Sequence, residues 1–304
     1  MSRTYKVTGI NLKGMPLGES DRLLTILTQE QGLIRVAAPG ARKHQSRLGG
    51  RSGLFVVNEL LISKGRSLDR ITQAETLASY PGLSLDLGKL TASQYLAELA
   101  LCQALDDHPQ PELFSLLTEH LGRLERSPAT EVLPRLTHGL YHLMALAGVA
   151  PNVQVCCLSQ QPVLPDLSGA DWQAGFSIQA GGVVHPEALD QLLQEGGVVR
   201  RSPAISRAAA PQSAPAKPRP KLAPRAIAAV STLSAAELSL LQQLPQPYLF
   251  PTDAPAAQRM EELPEGVTFL APETWRTLEQ LLRQYAQYHF DRTIRSASLI
   301  DACL

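Results

Sequence analysis

The sequence predicts an α+β, multidomain protein: a small β-barrel over residues 1–80, followed by an α-helical domain over residues 81–304. Three observations predict it. Residues 4–75 offer five short strand-like runs and no long helix. From about residue 83 the apolar period switches from two to 3.6. Charge follows the same segments: 12 Lys+Arg against 6 Asp+Glu in residues 1–80, 4 against 13 in 81–195, 7 against none in 196–230, and 5 against 9 in 231–304. A net charge of zero therefore conceals a basic start, an acidic middle and a basic island, segments suited to different partners.

Taken in order, TYKVTGINL (4–12) alternates in strand fashion, with Tyr5, Val7, Ile10 and Leu12 inward. Arg22 to Thr28 is the second strand and Leu33 to Ala38 the third; between them Gly32 supplies the positive φ that a tight hairpin wants. Leu54–Ser63 and Leu68–Glu75, separated by the turn Lys64-Gly65-Arg66-Ser67, complete a small, partly open barrel. Periodicity leaves an OB-type and an SH3-like barrel both open.

Helical text follows. Tyr95, Leu96, Leu99 and Cys102 share one stripe; Leu113, Leu116, Leu117, Leu121 and Leu124 form the next. A third stripe runs from Val132 to Ala147 and stops at Gly148, with Pro151 just beyond. A last helix is expected over residues 273–296, with Trp275, Leu278, Leu282, Tyr285 and His289 aligned, packing with the others as a second domain. VSTLSAAELSLLQQL (230–244) also reads as helical. Residues 200–226 mix Ala, Pro and basic residues without acids; such a stretch cannot bury enough surface to order itself and is expected to be a disordered insertion.

Several function classes are excluded. No apolar run approaches the ~18–20 residues of a membrane span, and MSRTYKVTGINLKG lacks the apolar region of a secretory signal. Four cysteines, two of them adjacent, make no disulfide framework, so the expectation is a cytoplasmic protein with no membrane partner. No GxxxxGK[ST] or GxSxG text is present, and the expectation is no enzyme and no cofactor. His138 and His142 stand at i, i+4, but HGLYH lacks the acid of a zinc hydrolase; one core and one surface histidine are expected.

The segment Gly14–Phe55 carries the most information. Its third strand runs into a loop holding Arg42, Lys43, His44, Arg47 and Arg51 with no acid, taken as flexible. A β-element ending in a purely basic loop describes a surface for polyanions, the alternative being a merely solvated face. Arg35, Lys64, Arg66 and Arg70 extend the set. The only aromatics in this part are Tyr5, Phe55 and Tyr80, with Phe55 read as strand core, so base stacking would be weak and affinity would rest on backbone charge.

The texts GESDRLLTILT (18–28), VA…GARK…S…L after it, and QYHFDRTIRSASLI (287–300) resemble the bacterial RecO family of recombination mediators. That resemblance implies an OB-fold that binds single-stranded DNA, anneals complementary strands and helps load RecA together with RecR. It also implies recognition of the acidic, Phe-ending tail of the single-stranded-DNA-binding protein (SSB) on the helical domain. Within the acidic middle only Arg123, Arg126 and Arg135 are arginines, and a carboxylate-ended tail would need one of them. Family members with a zinc module carry two CxxC pairs around a GG-containing hairpin. Here PNVQVCCLSQ and AGGVVHPEAL put Cys156, Ser159, His185 and Ala188 at those positions; two plausible ligands of four cannot hold a tetrahedral zinc, so residues 151–199 are expected to be a degenerate zinc-ribbon-like region without metal. Arg200, Arg201, Arg207, Lys217, Arg219, Lys221 and Arg225 in the insertion are a second grip on DNA or a spacer. Two rival readings are a general OB-fold RNA-binding module and a metal enzyme using Cys156, His185, His138 or His142.

Overall fold

The computed structural model describes residues 4–169, 171–189, 199–200, 230–253 and 271–304. The insertion expected over 200–226 lies outside the described residues apart from Arg200, which falls in a two-residue strand. The chain divides into two compact units, residues 1–149 with 289–304, and residues 150–288.

The first unit begins with β1 (Thr4–Leu17), β2 (Asp21–Thr28), β3 (Gly32–Ala38), β4 (Val57–Ser63) and β5 (Asp69–Ala78). They close in the order β1-β2-β3-β5-β4, the five-stranded Greek-key order of the OB class. β1 makes closure possible by serving two neighbours. Its first half pairs with β4, its second half with β2, and a register shift between Asn11 and Lys13 bends it from one to the other. A short parallel contact, Val36 with Asp69 and Ala37 with Arg70, seals the far side. The barrel is thus closed, not partly open as periodicity suggested; parallel pairing between distant strands leaves no local pattern. Val7, Leu24, Ile26, Val36, Leu60 and Ile62 fill its interior.

The fourth strand starts at Val57, later than expected. Phe55 is buried, yet it precedes the strand with φ 59°. A left-handed backbone costs a bulky L-residue about 1–2 kcal/mol, which burial of the ring offsets.

Helices α1 (Leu87–Gln103), α2 (Pro111–Arg126) and α3 (Val132–Leu146) follow in the same unit. Asp86 caps α1 by accepting from the Lys89 N–H at 2.8 Å. Tyr95, Leu96 and Leu99 of α1 are wholly buried, so this helix is the centre of the bundle. Gly148 ends α3 with φ 71°. The β2–β3 hairpin is stitched to the loop between α1 and α2. Leu33 N–H donates to Leu105 O at 2.9 Å, and Gln110 N–H donates to Gln29 O at 3.2 Å.

In the second unit a sheet of order β7-β6-β9-β8 is built from β6 (Gln173–Ser177), β7 (Gly182–Val184), β8 (Val199–Arg200) and β9 (Val230–Ser234). The start of VSTLSAAELSLLQQL is therefore strand, not helix; α4 (Ala235–Leu241) begins only after Ser234, whose side chain forms a capping box with Glu237. Helix α5 (Pro272–Phe290) places Tyr285 edge-on to Phe176, ring centroids 5.8 Å apart.

The last helix also ends earlier than its stripe suggests. It stops at Phe290, Asp291 turns with φ 52°, and a separate α6 (Ala297–Cys303) follows. Within the first unit the Glu98 carboxylate on α1 accepts from Arg295 N–H, Ser296 N–H and Ser296 Oγ–H at 2.7–2.9 Å. A distant carboxylate thus satisfies the start of α6, which continuation of α5 would have made unnecessary.

Candidate nucleic-acid interface

Residues 39–56, between β3 and β4, form a structured loop. Ala41 and Leu48 pack on the barrel core, and a 3₁₀ turn occupies Gly50–Ser52. Ala41 N–H donates back to Ala38 O, Lys43 to Gly40 O, Ser46 to Lys43 O and Gly49 to Ser46 O, at 3.0–3.3 Å. Arg42 N–H donates to Ser20 O at 2.9 Å and its guanidinium to Gly18 O at 3.1 Å, which docks the loop on the β1–β2 turn. Two buried asparagines pin the other end. Asn11 Nδ2 donates to Arg51 O and Gly53 O, each at 2.8 Å, and Asn58 Nδ2 donates to Arg51 O at 2.9 Å. The flexible loop read from sequence is accordingly an ordered one.

Removing the Asn11 pin has a defined expectation. Asn11→Ala strands the part-buried Gly53 carbonyl, while Arg51 O keeps Asn58 Nδ2; a group left unsatisfied in this way costs about 1–3 kcal/mol. The variant should melt earlier and be cut first within residues 39–56 under limited proteolysis; wild-type stability together with wild-type protection would show that the pin is idle.

The eight basic residues named from sequence fall on this barrel. Arg35, Arg42, Lys43, Arg47, Lys64, Arg66 and Arg70 are exposed and Arg51 is half-buried. Arg42 and Lys43 stand where β3 leaves the barrel, and Arg70 lies beside Ala37 at the same end. Asp21 joins that cluster: its carboxyl is held below the usual carboxylate range by the Gly40 N–H and by Ser20, with Arg70 and Lys43 adding to the effect. Arg47 and Arg51 instead border an open groove of about 610 Å³ along β4 and β5, whose lining also includes Thr72, Gln73, Glu75 and the Lys6–Glu59 ion pair (2.8 Å). Lys64 Nζ sits 5.7 Å from the centroid of the Tyr5 ring.

None of the eight makes an ion pair among the described residues. Their recorded polar contacts are to carbonyls, such as Arg51 to Arg47 O at 3.0 Å. Aromatic faces are scarce. Tyr5 is half-buried and donates to Asp69 at 2.8 Å, Phe55 is buried, and Tyr80 is half-buried and donates to Thr118 O at 3.2 Å. Burial and the neighbouring Asp69 push the Tyr5 hydroxyl well above the ordinary phenol value.

A family profile described as Recombination protein O N terminal matches residues 1–80, and one described as Recombination protein O C terminal matches residues 84–194. The chain belongs to the RecO family. Over 99% of its length it is 50% identical to the DNA repair protein RecO of a Nostoc species and 52% identical to that of Nostoc punctiforme, covering 97% of each relative. Over its full length it is 51% identical to the DNA repair protein RecO of a Cyanothece species, covering 97% of that relative. Among the described residues no helix is long and apolar enough to cross a membrane.

Within the RecO C-terminal text, the tail-site arginines separate. Arg126 is exposed. Arg123 and Arg135 are each 5% exposed and salt-bridged one turn back, to Glu119 and Glu131. An incoming carboxylate would have to displace those glutamates to reach them. At the zinc-ribbon positions Cys156 is buried, and its Sγ accepts from Ser159 N–H at 3.4 Å and His185 N–H at 3.2 Å. Burial pushes this thiol up, and the Ser159, His185 and Leu158 hydrogen bonds outweigh it, leaving it below the ordinary thiol value. The β6–β7 hairpin turns through Gly181 and Gly182, and a Cβ at Gly182 would collide with the Asn152 backbone. All four cysteines are free thiols.

Asn11, Asn58 and Lys6 lay outside the basic pattern. Nothing local marked the asparagines, since Lys6, Thr8 and Lys13 share β1 with Asn11 and Glu59 follows Asn58 in β4.

Proposed function

We propose that residues 1–80 are the nucleic-acid-binding domain of a recombination mediator, which holds single-stranded DNA, and duplex as well, by its phosphates. One observation carries the reading: eight basic side chains on one small barrel, none ion-paired among the described residues, beside aromatics that are buried or hydrogen-bonded. Charges left without carboxylates are available to phosphates, and binding them releases counterions. Scarce stacking leaves bases free to pair, which strand annealing requires. Membership of the RecO family supports the remaining steps: annealing of complementary strands and, with RecR, loading of RecA onto SSB-coated DNA, without catalysis and without a cofactor. The setting is the cytoplasm, at the nucleoid.

Fluorescence anisotropy of labelled single-stranded DNA over a salt series tests this reading. A slope of log K against log salt of about −0.7 per phosphate contacted is expected, steep enough to abolish binding at high salt. A salt-indifferent affinity would overturn phosphate-driven binding, and a preference for structured RNA without annealing would replace the reading with the RNA-binding module.

For the helical part, residues 81–304, we assign SSB-tail contact to Arg126 in place of the three-arginine set. An exposed charge pair is worth up to about 1 kcal/mol, or roughly fivefold in affinity. Arg126→Ala should weaken an acidic, Phe-ended peptide by that factor; an unchanged dissociation constant removes the site.

A further inference from the structure

Away from the basic barrel, three histidines on two neighbouring helices converge. His120 comes from α2, and His138 and His142 lie one turn apart on α3. Their ligand-type nitrogens all lie within 4.8 Å of one another. His120 Nε2 and His142 Nδ1 are hydrogen-bonded at 3.2 Å, through a proton that a bound cation would displace, and the three ring centroids are separated by 4.0–5.4 Å. Two nitrogens bound at about 2.0–2.1 Å to one tetrahedral zinc stand roughly 3.3 Å apart. One pair already has that separation, and the third nitrogen has about 1.5 Å or less to close.

The backbone makes room for this convergence. Gly139, between the two α3 histidines, lets α3 approach α2 so closely that a Cβ there would lie 3.3 Å from His120 Cγ and 3.0 Å from a Leu96 methyl. His120 and His138 are each 2% exposed, whereas His142 is half-buried and opens the cluster toward solvent. The nearby guanidiniums of Arg123 and Arg135 are each ion-paired, to Glu119 and Glu131.

We propose that His120, His138 and His142 form a binding site for a divalent first-row transition cation, with Zn²⁺ the best fit, that staples α2 to α3. Imidazole nitrogens favour zinc, nickel and copper over magnesium and calcium. Three of them leave a fourth position for water on the His142 side. The site is separate from Cys156 and His185, which belong to the other compact unit.

The test is Co²⁺ titration of the untagged, metal-stripped full chain, followed by displacement with Zn²⁺. One equivalent of cobalt with the visible ligand-field bands of a four-coordinate nitrogen site, lost on adding zinc, is the expected result. A thiolate-to-cobalt charge-transfer band would place the metal at cysteine and overturn the proposal, as would no uptake. His142→Gln changes the half-buried ligand and should weaken zinc by at least about 100-fold, the upper end of what losing an outer partner does, whereas Cys156→Ser should leave it unchanged. The reverse pattern, or equal retention in both, overturns the site. Should His142→Gln fail to fold, the wild-type cobalt spectrum decides alone.

Discussion

Replacing Arg42, Lys43 and Arg47 together by alanine is expected to cost roughly 100-fold in single-stranded DNA affinity at about 0.1 M salt. Each phosphate contact contributes ~0.7 to the salt slope on single strands, so three lost contacts flatten it by about 2. Extrapolated from about 1 M, where this contribution vanishes, a slope change of 2 is a factor of 100 one decade lower in salt. Of the loop's anchors, Ala41, Leu48, Asn11, Asn58 and the Arg42 N–H bond to Ser20 O survive and only the exposed guanidinium bond to Gly18 O is lost, so the barrel should melt close to the wild type. Anisotropy across salt reads the slope, and annealing of two complementary oligonucleotides should slow in parallel. A variant with the wild-type slope would place DNA elsewhere. Slowed annealing with unchanged binding would separate the two activities.

Gly32→Ala should strongly destabilise the first unit. Gly32 has φ 62°, and an added Cβ would land on the carbonyl oxygens of Leu105 and His108. The left-handed backbone costs about 1–2 kcal/mol and overpacking typically 1–3 more, here against main chain that no rotamer change can move. Roughly 2–5 kcal/mol follows, or about 10 °C for a domain of this size. Gly18→Ala is the matched control. Gly18 has φ 61° with nothing within 4 Å of the added atom, so it reports the backbone cost alone, near 1 kcal/mol. Equal melting temperatures for the two variants would mean that the seam between the β2–β3 hairpin and the α1–α2 loop yields freely.

Elements whose evidence is local were legible in the sequence. All five barrel strands and α1, α2 and α3 overlap the runs that alternation or helical stripes marked, with β1 longer and β4 shorter than expected. What failed depended on partners far along the chain. The break after Phe290 needs Glu98, and β9 is strand because it pairs with β6, though its five residues cannot show a period. Barrel closure rests on two parallel residue pairs. At the candidate site, composition marked the exposed cations, while the order of their loop depends on Asn11 and Asn58. Burial of Arg123 and Arg135 had a readable cue in Glu119 and Glu131, each four residues earlier. His120 had none, since only the packing of α2 on α3 brings it to the i, i+4 pair.

The pinned loop bears on rates. A disordered basic segment must be ordered by the strand it captures, and the wait for a competent shape slows capture. Here Asn11, Asn58 and the Arg42–Ser20 bond fix the backbone beforehand, and only the side-chain tips adjust. Encounter then becomes the slow event, steered by a field that keeps its shape, and the on-rate should fall with ionic strength as steeply as the affinity does.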